Sequence, residues 1–262
     1  MNLLEKKVNI EIEKVFHWLE ANHLTLNIGK SKFMIITKKK NIPPFSIQIN
    51  GKDLDMCSSY KYLGIFLDKD LSWKFHVDHV CKKIAKAYGF LTKLRNCVEI
   101  DTLREVYHAL IHSYLRYGII AWGNTTKANM KQLQTLVNRA IRVMSFAPYT
   151  RIDLDPLYEI LEILKVEQIY KLEIAKFSYR RENNLLPTEI ANYFQLRNIR
   201  PNLRNNRSLR SERVIFNTTS GKNSVLKKSF EIWENLPEEI KSIPTLKSFK
   251  RLFKSHLILV NE

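Results

Sequence analysis

The spacing of apolar residues in the N-terminal part of the chain changes from a helical to an alternating pattern. From Leu3 to Leu19, apolar residues recur at three- and four-residue steps among Glu and Lys, which predicts an amphipathic helix. Further on, apolar and polar residues alternate up to Ile49, and the dipeptide Asn50-Gly51 follows directly. Both residues tolerate positive φ, so a β-hairpin is predicted with its turn at this dipeptide. The apolar run Tyr60–Leu67 predicts one further strand, packed on that hairpin.

Beyond Trp73 the spacing of apolar residues is helical almost throughout. It predicts helices over Val77–Leu94, Leu103–Tyr117, Met130–Met144 and Leu157–Tyr179. Two more helices are predicted around Trp233 and Phe249. Strands near the N-terminal end followed by a long helical part indicate the α+β fold class.

One segment, residues 195–217, has a different composition from the helices around it. Between positions 197 and 213 it carries six arginines, at Arg197, Arg200, Arg204, Arg207, Arg210 and Arg213. The segment contains one acid, Glu212, and several Asn and Ser residues. The planar guanidinium group binds phosphate through two parallel donors, so this arginine-rich loop is predicted to contact the backbone of RNA or DNA. A flexible charged linker is the alternative interpretation.

The overall charge points to the same class of partner. The chain of 262 residues has 43 Lys and Arg against 26 Asp and Glu, a formal net charge of +17. Such an excess attracts polyanions, nucleic acid above all. The sequence contains no apolar run long enough to cross a bilayer, and its first residues lack the apolar block of a signal peptide. We therefore expect an intracellular protein of the nucleus or cytoplasm, neither secreted nor membrane-bound.

Motifs for catalysis or metal binding are incomplete in this sequence. Gly29-Lys30-Ser31 resembles the end of a phosphate-binding loop, but Leu24 stands where that motif requires glycine. His108 and His112 have the spacing of metalloprotease ligands, but residue 109 is Ala and not the required Glu. Three acid pairs, Asp53/Asp55, Asp68/Asp70 and Asp153/Asp155, lie among turn-forming residues, where Asp commonly caps turns and helices. We therefore predict neither catalytic residues nor a metal site.

Five motifs nevertheless occur in a recognisable order. The first three are Trp18-x3-Asn22-x-Leu24-x-Leu26-Asn27-x2-Lys30-Ser31-x2-Met34, Tyr62-Leu63-Gly64-x3-Asp68-x2-Leu71-x-Trp73-x2-His76 and Tyr114-Leu115-x-Tyr117-Gly118-x3-Trp122. The last two are Leu133-Gln134-x3-Asn138-Arg139-Ala140-x-Arg142 and Trp233-Glu234-Asn235-Leu236-Pro237, which Phe249-Lys250 follows. Together they resemble the downstream part of a non-LTR (LINE-type, jockey-like) retrotransposon reverse transcriptase.

This resemblance implies a domain organisation and a set of binding residues. Residues 1–75 would be a short antiparallel remnant of the polymerase palm, residues 76–150 a helical thumb-like region, and residues 151–262 a helical post-thumb region. Tyr62-Leu63-Gly64 matches the hairpin that grips the primer, and Lys30 lies in the region that flanks the incoming nucleotide. The implied partners are RNA and an RNA·DNA primer-template. A palm surface left exposed is expected to favour self-association.

One departure from the family pattern affects the expected activity. The family's metal-binding aspartates, which include an adjacent Asp-Asp pair, lie upstream of the Trp18 motif, and this sequence contains no Asp-Asp. Magnesium is the cofactor of the complete family enzyme, and none is expected in this chain. We therefore expect a C-terminal reverse transcriptase fragment that binds nucleic acid and does not polymerise alone. The alternatives are a host-recruited binding or protein-interaction module, and one end of a polymerase whose missing part is supplied elsewhere.

Overall fold

The computed structural model describes residues 3–37, 41, 44–148, 152–195 and 224–259. Its chain divides into two compact units, Met1–His76 and Val77–Glu262. All six arginines between positions 197 and 213 lie outside the described residues. The described part is mostly helical with a few short strands, in agreement with the predicted α+β class. None of its helices is long and apolar enough to cross a membrane.

The first unit combines one long helix with three two-stranded sheets. Helix α1 spans Leu3–Ala21, and a single 3₁₀ turn spans Ile28–Lys30. The strands are β1 (Lys32–Phe33), β2 (Gln48–Ile49), β3 (Lys52–Asp53), β4 (Asp55–Met56), β5 (Ser59–Tyr62) and β6 (Ile65–Asp68). Strands β2 and β3 pair antiparallel, as do β5 and β6, whereas β1 and β4 pair parallel. The expectation of a purely antiparallel strand region is therefore wrong for the β1–β4 pair.

The hairpin predicted at Asn50-Gly51 is confirmed. Asn50 has φ 48° and Gly51 has φ 68°, the combination that a tight turn between antiparallel strands requires. Gln48 stands opposite Asp53, and Ile49 opposite Lys52.

The run Tyr60–Leu67 does not form the single strand that its composition predicts. It turns back on itself as the hairpin β5–β6, and the turn lies at Leu63 (φ 45°) and Gly64 (φ 84°). Its two strands pair with each other and form a sheet separate from β2–β3. The spacing of apolar residues does not reveal the turn, because Leu63 is apolar and the hydrophobic run continues through it. The family resemblance, which matches Tyr62-Leu63-Gly64 to a hairpin, did indicate it.

Helix α1 covers both the core and one edge of the first hairpin. Val8, Ile12 and Phe16 pack against a small buried core made of Ile47, Ile49 and Leu54. The polar residues of the same helix reach the backbone beside it. The backbone N–H groups of Ser46, Gln48 and Asn50 donate to Glu5 (3.1 Å), Asn9 (2.9 Å) and Glu13 (3.4 Å), respectively. Side chains four residues apart on the helix thus bind alternate N–H groups of the extended chain.

The second unit is helical in its described part. Its long helices are α2 (Lys74–Leu94, which begins in the first unit), α6 (Lys127–Met144), α8 (Val166–Glu182), and α12 (Leu246–Leu259). The shorter ones are α3 (Ile100–Tyr107), α4 (Ser113–Arg116), α5 (Ile119–Trp122), α7 (Asp155–Ile160), α9 (Thr188–Gln195), α10 (Val225–Glu234) and α11 (Glu238–Lys241). A π-helical segment, His108–His112, joins α3 to α4.

Helix α8 is the centre of this unit because residues on most of its circumference are buried. Helices α4, α5, α6, α10 and α12 pack against it. Near its end, the ring of Tyr179 contacts the rings of Phe249 (centroids 4.7 Å apart) and Trp233 (6.4 Å). The Tyr179 hydroxyl donates to the carbonyl of Ile243 at 2.9 Å.

The single helix predicted over Leu157–Tyr179 is interrupted. Helix α7 ends at Ile160, Glu162 adopts φ 51°, and α8 begins at Val166. The residues in the break, Leu161, Ile163 and Leu164, are nevertheless buried. Apolar residues therefore continue through the break, and the spacing alone does not reveal it.

Candidate nucleic-acid interface

The hairpin β5–β6 presents a small apolar platform. Side chains alternate between the two faces of a strand, so the cross-strand pairs Tyr60–Leu67 and Tyr62–Ile65 share one face. On that face Tyr60 is 42% exposed and Tyr62 is 59% exposed, and Leu63 at the turn is 72% exposed. We call Tyr60, Tyr62 and Leu63 the hairpin tip. Of these three residues, sequence analysis singled out Tyr62 and Leu63 but not Tyr60. The two-residue period of a strand could have revealed Tyr60, because it places Tyr60 on the same face as Tyr62.

A buried carboxylate fixes the chain where this hairpin ends. Asp68 is 4% exposed, and one of its oxygens accepts the backbone N–H groups of Asp70 (3.2 Å) and Ser72 (2.9 Å). The other oxygen accepts the N–H of Trp73 at 2.9 Å. Leu71 and Trp73 both have positive φ, 50° and 63°, which is an unfavourable conformation for residues with a side chain. Three hydrogen bonds to one charged group stabilise this strained turn.

A histidine holds the hairpin to the helix that follows. His76 is buried in the first turn of α2, and its Nδ1 accepts the backbone N–H of Phe66 at 3.4 Å. The acceptor role requires an Nδ1 without a proton. Gly64, Asp68 and His76 of the Tyr62 motif therefore shape and hold the hairpin, and the hairpin tip remains exposed.

Lys30 lies on a different element of the same unit, at the end of the 3₁₀ turn. Its backbone N–H donates to the Asn27 side chain at 3.1 Å, and its own side chain is exposed. Beside this turn is an open cavity of about 750 Å³ whose wall includes Asn27, Gly29, Asp53 and Asp55. Lys30 is thus not part of the hairpin tip, although both belong to the first unit.

The acids near that cavity already have partners. Hydrogen bonds from the side chains of Gln48 and Ser46 hold the pKa of Asp53 below its ordinary value. Asp55 lies 3.6 Å from the ammonium group of Lys32. Within the described ranges, no three His, Cys, Asp or Glu side chains are grouped so that they could hold a metal ion.

A basic surface in the second unit was not among the binding residues predicted from the sequence. Lys82, Lys86 and Lys93 are exposed on one side of α2, and Phe90, which is 48% exposed, lies beside them. A groove of about 530 Å³ between α2 and α6 is lined by Lys82 and Arg139, by the acid Asp78, and by other polar and apolar residues of both helices. Surfaces that combine an aromatic ring with lysines are suited to bind single-stranded nucleic acid. The sequence indicates this combination, because Phe90 lies four residues after Lys86 and three before Lys93, the spacing of one helix face.

Comparison with known proteins finds sequence similarity to a class of enzymes. The chain is 29% identical over 175 residues to the probable RNA-directed DNA polymerase from transposon BS of Drosophila melanogaster, a match that covers 64% of this chain and 19% of that protein. It is 25% identical over 135 residues to the RNA-directed DNA polymerase from mobile element jockey of Drosophila funebris, which covers 50% of this chain and 15% of that protein. A similar match, 25% over 132 residues, is found with the probable RNA-directed DNA polymerase from transposon X-element of Drosophila melanogaster, over 49% of this chain and 14% of that protein.

These matches span less than a fifth of the length of the curated relatives. No family model and no solved structure matches the chain. The resemblance that its motifs indicate is confirmed: the chain is similar in sequence to the RNA-directed DNA polymerases of jockey-like, non-LTR retrotransposons.

Proposed function

We propose that this chain is a reverse transcriptase fragment that binds RNA or an RNA·DNA primer-template in the nucleus or cytoplasm and does not polymerise alone. The similarity to RNA-directed DNA polymerases and the net charge of +17 support a nucleic-acid partner. The observation that carries the proposal is the hairpin tip, two exposed tyrosines and a leucine on a hairpin whose base is fixed by Asp68 and His76.

The hairpin tip is suited to contact the end of a strand. Tyrosine rings stack on bases of any sequence, and each such stack contributes about 1–3 kcal/mol. Because Tyr60 and Tyr62 share one face, two successive rings are available to neighbouring nucleotides. A rigid base lowers the entropy lost on binding, since the hairpin does not need to become ordered first.

Phosphate contacts would come from basic residues elsewhere in the chain. Lys82, Lys86 and Arg139 lie on α2 and α6, beside or within the groove between these helices. We include Lys30 and the six arginines between positions 197 and 213 among the proposed binding residues. Their contribution would be independent of base sequence and would weaken as salt rises.

The proposal that the chain does not polymerise alone rests on the chemistry of nucleotidyl transfer. Nucleotidyl transfer with two metal ions needs carboxylates that hold the ions about 3.5–4 Å apart. The sequence contains no Asp-Asp pair, and the acids near Lys30 are engaged with Lys32, Ser46 and Gln48. Positioning groups alone do not replace the metal ions in this reaction.

The test is fluorescence anisotropy with a labelled single-stranded RNA and a labelled RNA·DNA hybrid. The double variant Tyr60→Ala/Tyr62→Ala is expected to weaken binding at least ten-fold, because two stacking rings are removed. The matched control Tyr60→Phe/Tyr62→Phe keeps both rings and should bind within about two-fold of the natural chain, since stacking uses the ring face. Equal losses in the two double variants would refute the role of the hairpin tip.

Salt dependence separates base stacking from phosphate contacts. Between 50 and 200 mM salt the affinity of the natural chain is expected to fall steeply, by several hundred-fold or more if about six phosphates are contacted. Lys82→Gln and Lys86→Gln should each reduce the slope of log affinity against log salt by about 1, whereas the tyrosine variants should leave it unchanged. An affinity that stays flat over this range would contradict the electrostatic part of the proposal.

We further propose that the first unit self-associates through α1. Leu4, Val15 and Trp18 fall on one side of this helix, next to the face that packs on the core, and are 58%, 53% and 60% exposed. An apolar stripe of this kind on a soluble domain is typical of a contact surface.

A further inference from the structure

The groove between α2 and α6 brings together three charged side chains that are not paired with one another. Asp78 and Lys82 of α2 and Arg139 of α6 all line this groove of about 530 Å³. Asp78 and Lys82 are four residues apart on one helix, a spacing at which opposite charges commonly pair. Within the described part of the chain, however, none of the three forms an ion pair or a side-chain hydrogen bond. Their charged groups are therefore open to a ligand in the groove.

The groove also has an apolar part, formed by Cys81, Ala85 and Leu136. Cys81 is 7% exposed, and burial together with the charge of Asp78 raises the pKa of its thiol to about 11. The thiol is therefore protonated at pH 7 and behaves as a small apolar group. An apolar surface with a few polar groups is typical of ligand pockets, and the volume of the groove lies within their usual range of about 300–1,000 Å³.

The acid in this groove indicates more than a surface for phosphate. A carboxylate repels phosphate, so Asp78 would only weaken a site that bound the nucleic-acid backbone alone. The two oxygens of a carboxylate accept two parallel hydrogen bonds. Among the four bases of RNA, only guanine offers two adjacent donor groups on its Watson–Crick edge, N1–H and the N2 amino group. Adenine, cytosine and uracil have one donor group each on that edge. Asp78 is therefore suited to select guanine.

We propose that the α2–α6 groove binds one unpaired guanosine nucleotide, with Asp78 on the base and Lys82 and Arg139 on the phosphate. The faces of a base are apolar and fit the apolar part of the groove, and the guanidinium fork of Arg139 fits two phosphate oxygens. The inference rests on the proposed function for the RNA strand that would carry this nucleotide. A free guanosine monophosphate has the same chemical groups and would use the same side chains.

The nucleotide in the groove has to be unpaired, because Asp78 would use the edge that pairs with cytosine. Proteins that read RNA sequence bind mostly single-stranded segments, in which this edge is accessible. Phe90 lies on the exposed side of α2, close in sequence to Lys86, where its ring can stack on a base of the same strand. The groove would thus add a preference for one base to contacts that are otherwise independent of sequence.

The first experiment is fluorescence anisotropy of the whole chain with two short labelled RNA strands, an oligouridylate and the same strand with one central guanosine. The guanosine is expected to tighten binding about ten-fold, which corresponds to about 1.4 kcal/mol and is a usual gain for a bidentate contact to a base. Adenosine in its place should give no gain. Inosine, which keeps N1–H but lacks the N2 amino group, should lose most of the gain.

Asp78→Asn tests the residue that would make the choice. The amide replaces one acceptor with a donor, so the preference for guanosine should disappear. Asp101→Asn is the matched control, because it removes an exposed acid of α3 in the same unit and should leave the preference unchanged. Xanthosine carries a carbonyl oxygen where guanosine has its amino group, so it should bind Asp78→Asn in preference to guanosine. A purely structural role of Asp78 would not produce this exchange, and an undiminished preference for guanosine in Asp78→Asn would refute the assignment.

Free mononucleotides distinguish the source of the nucleotide and separate this inference from the proposed function. If RNA is the ligand, the strand with guanosine binds more tightly than the oligouridylate, and Tyr60→Ala/Tyr62→Ala weakens both without changing their ratio. If a free nucleotide is the ligand, NMR saturation transfer shows binding of guanosine monophosphate over uridine monophosphate, whereas the two strands bind equally or not at all. A chain that binds neither strand would refute the proposed function, and a preference for guanosine monophosphate would still support the groove. Equal binding of the two strands together with equal binding of the two mononucleotides would overturn this inference alone.

Discussion

Asp68 is the residue on which the local structure of the first unit depends most clearly. Its two oxygens accept three backbone N–H groups in a turn where Leu71 and Trp73 have positive φ. Its place among turn-forming residues predicted that Asp68 caps a turn, but its burial was not predicted, because the spacing of a motif does not say which side chains are buried. The same holds for His76, whose contact with Phe66 depends on how the hairpin folds back.

We predict that Asp68→Asn destabilises the protein. The amide that replaces one oxygen is a donor, so at least one of the three N–H groups loses its partner in a buried site, at a cost of about 1–3 kcal/mol. The free energy of unfolding, measured in urea, should fall by that amount. Asp70→Asn is the matched control, because Asp70 is exposed, and its effect should stay within about 0.5 kcal/mol. Equal effects of the two substitutions would disprove the role assigned to Asp68.

Among the secondary-structure elements, α5 lies unusually close to α8. Gly123 ends α5, and a Cβ atom at this position would collide with the ring of Tyr170 and lie 2.6 Å from the carbonyl oxygen of Ile119. Gly89, in the middle of α2, has no atom within 4 Å of the corresponding position. Gly123 is therefore closely packed, whereas a side chain at Gly89 would have open space, and the sequence does not reveal this difference.

The two alanine substitutions should have effects of opposite sign. Gly123→Ala is expected to lower the free energy of unfolding by about 1–3 kcal/mol, since a packed ring must move. Gly89→Ala should raise it by about 0.5–1 kcal/mol, because alanine loses less backbone entropy in a helix. Thermal unfolding of both variants provides the measurement, and a stabilising Gly123→Ala would show that α5 is not fixed against α8.

The elements that sequence analysis predicted correctly were those with a local cause. The turn at Asn50-Gly51 follows from the φ values that these residues tolerate, and the amphipathic α1 follows from its spacing. The spacing of apolar residues missed the β5–β6 turn at Leu63, which only the family resemblance indicated, and it missed the break after Ile160, because buried or apolar residues continue through both. Tertiary packing decides such positions, and it is not visible in the spacing of apolar residues.

At the scale of the whole molecule, we predict concentration-dependent self-association. The double variant Val15→Ser/Trp18→Ser should shift sedimentation velocity profiles toward the monomer, because it removes two of the three residues in the exposed stripe of α1. Leu252→Ser is the control, since Leu252 is similarly exposed on α12. A natural chain that sediments as a monomer at all concentrations would contradict this prediction.

The similarity of the chain to known proteins was more accessible from the sequence than its candidate binding surface was. Ordered motifs indicated the relatedness to jockey-like polymerases, since a motif's identity does not depend on knowing the fold. The binding surface requires knowledge of exposure. Tyr60 and Phe90 became candidates only when their rings were seen to face solvent, and Lys30 proved to be on an element separate from the hairpin tip.

The bonds from Glu5, Asn9 and Glu13 to alternate N–H groups limit how far the first hairpin can grow. Four residues of helix advance about 6.0 Å, and two residues of strand about 6.6 Å, so the two repeats fall out of step along the contact. The longest of the three bonds, 3.4 Å, is at one end of the series. A strand in this place would present a second row of free backbone N–H and C=O groups on its far side. A helix does not, because its backbone groups are hydrogen-bonded within the helix. Helix α1 therefore occupies this edge of the hairpin, and no further strand can pair with it there. This protects the edge from the amyloid-like addition of another chain.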